Sequence, residues 1–133
     1  MTLLVDSNVL LDIATEDVTW GEWSSRALEE TAQSEPLAIN PIIYAEVSIR
    51  FETIEELEDV LPADSFRREP LPFEAGFLAG KAFLAYRRRG GRRSTPLPDF
   101  YIGAHAAVAG YRLLTRDATR YRTYFPSVEL IAP

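Results

Sequence analysis

Of the twenty acidic residues in this chain, four stand where chemistry could use them: Asp6, Glu46, Asp99 and Asp117. Asp6 ends the apolar run Leu3-Leu4-Val5, and Asp117 closes Thr115-Arg116-Asp117 after the run Leu113-Leu114. Asp99 belongs to the first turn of the helix feeding that second run. Glu46 lies in Ile42-Ile43-Tyr44-Ala45-Glu46-Val47, a stretch so apolar that the carboxylate either rides a thin solvated stripe or points into a polar site. Each has an ordinary explanation when taken alone. Aspartate at a strand end favours turns and caps, and near a helix N-terminus it gains roughly 0.3–1 kcal/mol from the macrodipole. Gathered at one edge, the four would repel one another, raising their pKa values and costing stability unless a cation neutralises them. An all-oxygen donor set favours Mg²⁺ or Mn²⁺ over Zn²⁺.

The composition removes the competing chemistries. There is no cysteine, so disulfides and thiolate metal sites are excluded, and the single histidine, His105, excludes a multi-histidine zinc centre. The net charge of −6 argues against non-specific nucleic-acid coating. The 133 residues predict a single domain over 1–133. No apolar run reaches the length of a membrane span, and Asp6 interrupts any secretory core, so a cytoplasmic protein is expected.

The elements that must position the acids alternate in type. Short apolar runs at Leu3-Val5, Leu37-Ile39, Arg112-Thr115 and Val128-Ile131 predict strands buried on both faces, with a weaker candidate between Phe66 and Leu71. Helical patterns fill the gaps: 8–14, 20–33, 41–49, 53–61, 73–89 and 98–109. Asn40 with Pro41 and Thr53 with Glu56 give two of them N-terminal signals, and Gly110 gives the last a stop. The fold class is therefore α/β, a three-layer α/β/α sandwich with a mainly parallel sheet of four or five strands. In such sheets ligands bind beyond the carboxyl ends of the strands, where Asp6 and Asp117 fall.

These segments together resemble the PIN-domain family. Leu3-Leu4-Val5-Asp6-Ser7-Asn8-Val9-Leu10-Leu11 looks like its opening motif, and Ala45-Glu46-Val47 like its second. The third is matched by Pro98-Asp99-Phe100-Tyr101-Ile102-Gly103-Ala104-His105-Ala106, and the last by Gly110 to Asp117 followed by Tyr121. Two departures are Ser7, where threonine is frequent, and Gly103, where alanine is frequent. The length resembles that of VapC-type toxins of toxin–antitoxin pairs. The resemblance implies a Mg²⁺- or Mn²⁺-dependent endoribonuclease in which Asp6, Glu46, Asp99 and Asp117 are the catalytic metal ligands and Asn8 and Thr115 help shape the site. It also implies an RNA substrate, a cognate antitoxin that blocks the cleft, and a homodimer.

Other features weigh on that expectation. Arg87, Arg88, Arg89, Arg92 and Arg93 crowd seven positions just before Asp99 and could grip RNA phosphates; a solvated helix end is the plain alternative. Glu52, Glu55, Glu56, Glu58 and Asp59 read as a solvated helix face, His105 as a packed or hydrogen-bonded side chain, and Trp20 and Trp23 as core or interface anchors. Tyr44, Ile49 and Phe51 default to core packing, with an apolar antitoxin groove as the other reading, and Asp12 has no assigned role. Two rival functions remain. A phosphatase of the haloacid-dehalogenase type also places Asp after a first strand, but would want a second Asp where Asn8 stands. A non-catalytic module on the same fold would use the acids for structure or for a partner's arginine.

Overall fold

The computed structural model describes residues 1–91 and 97–133. Its centre is β1 (Leu3–Val5), whose three residues are fully buried. Successive strand residues point to opposite faces, so burial of all three means that both faces are covered. β1 pairs in parallel with β2 (Leu37–Ile39) on one side and β4 (Arg112–Leu114) on the other, with Leu3 opposite both Leu37 and Arg112. β3 (Phe66–Arg68) and β5 (Leu130–Ile131) form the edges, giving the all-parallel order β3-β2-β1-β4-β5. Five strands and a parallel sheet meet the sequence expectation. Both edge strands are shorter than their apolar runs. Pro70 and Pro72 follow β3, and the run at Val128 enters the sheet only at Leu130.

The helices are α1 (Ser7–Ala14), α2 (Gly21–Ala32), α3 (Pro41–Ser48), α4 (Ile54–Val60), α5 (Phe73–Arg88), α6 (Leu97–Ala109) and α7 (Thr119–Tyr124). The first six match the expected segments within a residue or two; α7 was not expected. None of the described helices is long and apolar enough to cross a membrane. Asn40 caps α3 by accepting the Ile43 N–H at 2.9 Å, and Thr53 caps α4 by accepting the Glu56 N–H at 3.2 Å. Asn40 also donates its amide to Nδ1 of His105 at 3.0 Å, which fixes the neutral ring with its proton on Nε2. Burial holds the His105 pKa below its ordinary value. His105 is thus the packed residue its alanine-rich surroundings predicted.

Two glycines, one within α6 and one just after it, are required by geometry. Gly110 ends α6 at φ +71°, a left-handed conformation other residues adopt only with strain. A Cβ on Gly103 would stand 2.3 Å from the ring of Phe125. The departure from alanine at this position therefore lets the end of α7 settle onto α6. The acidic stretch before β3 is only partly a solvated face. Glu58 is half-buried and pairs with Arg68, and the Tyr44 hydroxyl donates to it at 3.1 Å. Phe51 packs against the core, but Ile49 is exposed and lies outside it.

Candidate functional site

Asp6 is the N-cap residue of α1, yet its side chain makes no capping bond. Its carboxylate turns instead toward residues far away in the chain. Oδ2 accepts from Thr115 Oγ1 and from the Tyr121 hydroxyl, each at 2.8 Å. Its own N–H donates to the carbonyl of Leu114 at 2.9 Å, tying the ends of β1 and β4 together. Asn8 completes this tie, its amide donating to Thr115 Oγ1 at 3.2 Å and its carbonyl accepting the Arg116 N–H at 3.1 Å. Both auxiliary positions expected from the sequence, Asn8 and Thr115, thus hold the Asp6 carboxylate and the loop after β4.

Glu46 reaches the same point from α3. Ser7 Oγ donates to its Oε1 at 2.7 Å and lies 3.4 Å from Asp6 Oδ1, so one hydroxyl spans two carboxylates. Asp99, in the first turn of α6, faces a pocket of about 490 Å³ whose wall also includes Asp6, Asn8, Asp117, Arg120 and Tyr121. Asp117 is exposed at the rim, its N–H bonded to Thr115 Oγ1 at 3.2 Å. The structure therefore brings Asp6, Asp99 and Asp117 to one pocket and places Glu46 behind Asp6, one hydroxyl away.

The electrostatics are those of a site short of positive charge. Burial first, and then the charge of Asp99, push the Asp6 pKa up to about 6, with Tyr121 and Thr115 pulling the other way. Glu46 and Asp99 are also raised, each chiefly by burial. For Glu46 the Ser7 hydrogen bond opposes the rise; for Asp99 the Arg120 guanidinium does. Tyr121 stays a protonated donor, since burial and the neighbouring carboxylates hold its phenol well above the usual range. The donors are hard oxygens in one another's field, which suits a hard divalent cation chemically. Their present arrangement is not a finished cage: among the described residues no three acids lie close enough to hold one ion. Each carboxylate is held elsewhere, Glu46 by Ser7, Asp6 by Thr115 and Tyr121, and Asp99 by Arg120 at 2.7 Å.

Three contributors were not assigned roles from sequence. Arg120 and Tyr121 come from α7, whose polar sequence Thr-Arg-Tyr-Arg-Thr-Tyr carries no apolar period; in the sequence Tyr121 stands out only as part of the last motif. The third is Asp12. Its buried carboxylate is gripped by Arg116 through two bonds of 2.9 and 3.1 Å and by Ser24 Oγ at 2.9 Å, while Arg116 lies over the ring of Trp20 at 5.8 Å. This clamp fixes the loop carrying Thr115 and Asp117 onto α1. Trp20 and Trp23 meet edge to face and are half-buried, as anchors should be. Of the basic cluster, Arg87, Arg88 and Arg89 are exposed at the end of α5, and Arg89 lies 5.4 Å above the ring of Tyr124 on the pocket wall. Arg92 and Arg93 fall outside the described residues.

Solved structures share this fold. The VapBC2 complex of Rickettsia felis bound to a promoter DNA fragment contains a chain that superposes with a TM-score of 0.75 at 17% identity, covering 100% of this chain and 99% of that one. VapBC-1 of nontypeable Haemophilus influenzae gives 0.74 at 14% identity, with 99% and 98% covered. A toxin–antitoxin complex from Klebsiella pneumoniae gives 0.69 at 22% identity, with 95% and 94% covered. At such identities the likeness establishes the fold. Comparison with curated protein sequences gives no match. The PIN domain model matches residues 3–126, nearly the whole sequence, and the chain belongs to the PIN domain family.

Proposed function

We propose that this protein is a divalent-metal-dependent endoribonuclease and the toxin of a VapBC-type toxin–antitoxin pair. The observation that carries the reading is the acid pocket at the carboxyl edge of the sheet, where burial first and neighbouring carboxylates second raise the pKa of Asp6, Glu46 and Asp99, while among the described residues the guanidinium of Arg120 opposes the rise at Asp99. A bound Mg²⁺ or Mn²⁺ would polarise a phosphate oxygen and lower the pKa of a water that attacks in line. The chain's own residues do the positioning. Asp6 and Asp99, with Glu46 behind and Asp117 at the rim, are the ligand set. Thr115, Tyr121 and Asn8 hold Asp6 in register, and Ser7 orients Glu46. No protein nucleophile is called for, which suits a pocket without serine–histidine or cysteine chemistry.

Arg87, Arg88 and Arg89 supply the positive rim an acidic protein needs to hold an RNA backbone. The antitoxin partner is supported by the structural neighbours, which are toxin–antitoxin complexes. A homodimer is supported by α5, which exposes Phe73, Phe77 and Leu84 at intervals of four and seven, with Gly80 between. In an antiparallel pair of α5 helices Phe77 would meet Gly80 and Phe73 would meet Leu84, flanked by Glu74 opposite Lys81. Phe77→Glu should then yield a folded monomer in sedimentation; a dimer of unchanged mass would remove α5 from the interface.

Cleavage of total tRNA with Mn²⁺ against EDTA tests the activity. Asp6→Asn should lower the metal-dependent rate by about 10³-fold, a loss in keeping with several kcal/mol of charge stabilisation. Equal cleavage by the variant would refute the reading.

A further inference from the structure

The absence of a three-carboxylate cluster among the described residues has a visible cause at Asp99. Its Oδ2 accepts from Arg120 NH1 at 2.7 Å, and both side chains are largely shielded, at 30% and 27% exposed. Arginine cannot lose its proton in a protein, so a change of pH on the guanidinium side cannot break this pair. A competing cation can. Arg120 is also held a second way in the same pose: its guanidinium carbon lies 5.3 Å from the ring centre of Tyr86 and 5.6 Å from that of Phe100. A cation over aromatic faces keeps part of its stabilisation without a carboxylate. Asp99 thus has a partner that can withdraw while remaining on the pocket wall.

We propose that Arg120 is the resident counter-ion of Asp99, occupying the place of the divalent cation until that cation displaces it. The inference rests on the metal-dependent reading above and deepens it, since it makes metal affinity a competition built into the chain. Two consequences follow from the geometry. Metal binding must first break a charge-assisted hydrogen bond, so affinity for the ion is weaker than the ligand set alone would give. The metal-free protein, in return, does not carry Asp99 as an uncompensated charge.

Mn²⁺ titration of the purified protein, followed by the electron paramagnetic resonance of the free ion, tests this without any cleavage assay. Wild type, Arg120→Gln and Arg120→Lys are compared. Arg120→Gln should bind Mn²⁺ roughly five- to tenfold more tightly, the scale of one partly exposed charge-assisted bond. Arg120→Lys, which keeps the charge, should remain within about twofold of wild type. Thermal melting supplies the second readout: Arg120→Gln should melt lower than wild type in EDTA and gain more on adding Mn²⁺. A variant that is merely misfolded would lose metal affinity, the opposite sign. Equal or weaker Mn²⁺ binding by Arg120→Gln overturns the counter-ion role while leaving the metal reading intact. No binding by any of the three proteins overturns the metal reading, and this inference with it.

Discussion

Asp6 and Asp12 lie six positions apart, one at the N-terminal boundary of α1 and the other within it, and are almost equally buried, at 2% and 3% exposed. Their surroundings could hardly differ more. Asp12 is met by the forked guanidinium of Arg116 and by Ser24. Asp6 is met by hydroxyls and no cation, with more carboxylates in its field, among the described residues. Burial of a charge is costly unless it is paired. Asp12 satisfies that rule and Asp6 breaks it. The first is architecture. The second stores an unmet demand for positive charge, and that demand is what marks a site.

The comparison is broken most severely by removing the compensated aspartate. Asp12→Ala leaves the Arg116 guanidinium without its partner against α1 and frees the loop bearing Thr115 and Asp117. A loss of about 3 kcal/mol is expected, at the low end for a buried pair because Arg116 is one-third exposed. Urea denaturation measures it. The double variant Asp12→Leu, Arg116→Met should recover most of that loss, since apolar replacements leave no charge stranded. A double variant as unstable as the single would mean that the pair's value lies in its geometry and not in charge compensation.

Removing the uncompensated aspartate should do the reverse. Asp6 has an ordinary pKa of 3.8 and is pushed up to about 6 in the fold. The folded state therefore binds this proton more tightly than the unfolded state. Its contribution favours folding below about pH 4 and is lost as pH rises through 6, so above pH 7 the ionised group penalises folding by up to about 3 kcal/mol. Asp6→Asn removes the penalty. The variant should be more stable than wild type at pH 7.5 in EDTA, and the difference should shrink toward zero by pH 4. Measuring the difference between the two proteins isolates Asp6 from carboxyls with the opposite slope, such as Glu58 and Glu69, whose arginine partners lower their pKa. A constant difference across that range would mean that Asp6 is neutralised by something other than a proton.

The sequence revealed the demanding side of this comparison better than the compensated side. Strands and acids were legible because each apolar run is short, ends at a polar residue and is buried on both faces. The partners were less legible. Thr115 and Tyr121 reach Asp6 across more than a hundred positions, and nothing local in Thr119–Tyr124 announces a helix. That element forms because Tyr121 is buried with its hydroxyl on Asp6 and Phe125 packs against α6, which is a tertiary cause. Asp12 was unassigned for the same reason: its value depends on Arg116, and no spacing rule connects them. Gly103 looked like a departure from a family pattern, and only the Phe125 ring shows why no side chain fits.

The smallest expected effect extends the comparison from acids to bases. Arg26 on α2 is already matched by Glu22 one turn away at 2.8 Å, whereas Arg89 at the pocket rim makes no ion pair among the described residues. If uncompensated charge marks function on both sides of the site, the free arginine is the one that meets phosphate. Arg89→Ala should weaken binding of a single-stranded RNA modestly and lower the slope of log affinity against log salt by about one contact's worth, near 0.7. Arg26→Ala should leave that slope unchanged while altering stability by no more than about 0.5 kcal/mol. Filter binding at several salt concentrations, in EDTA so that no RNA is cut, separates the two. Equal slopes for Arg89→Ala and wild type would confine the RNA contact to other residues, and would limit the rule of uncompensated charge to the carboxylates.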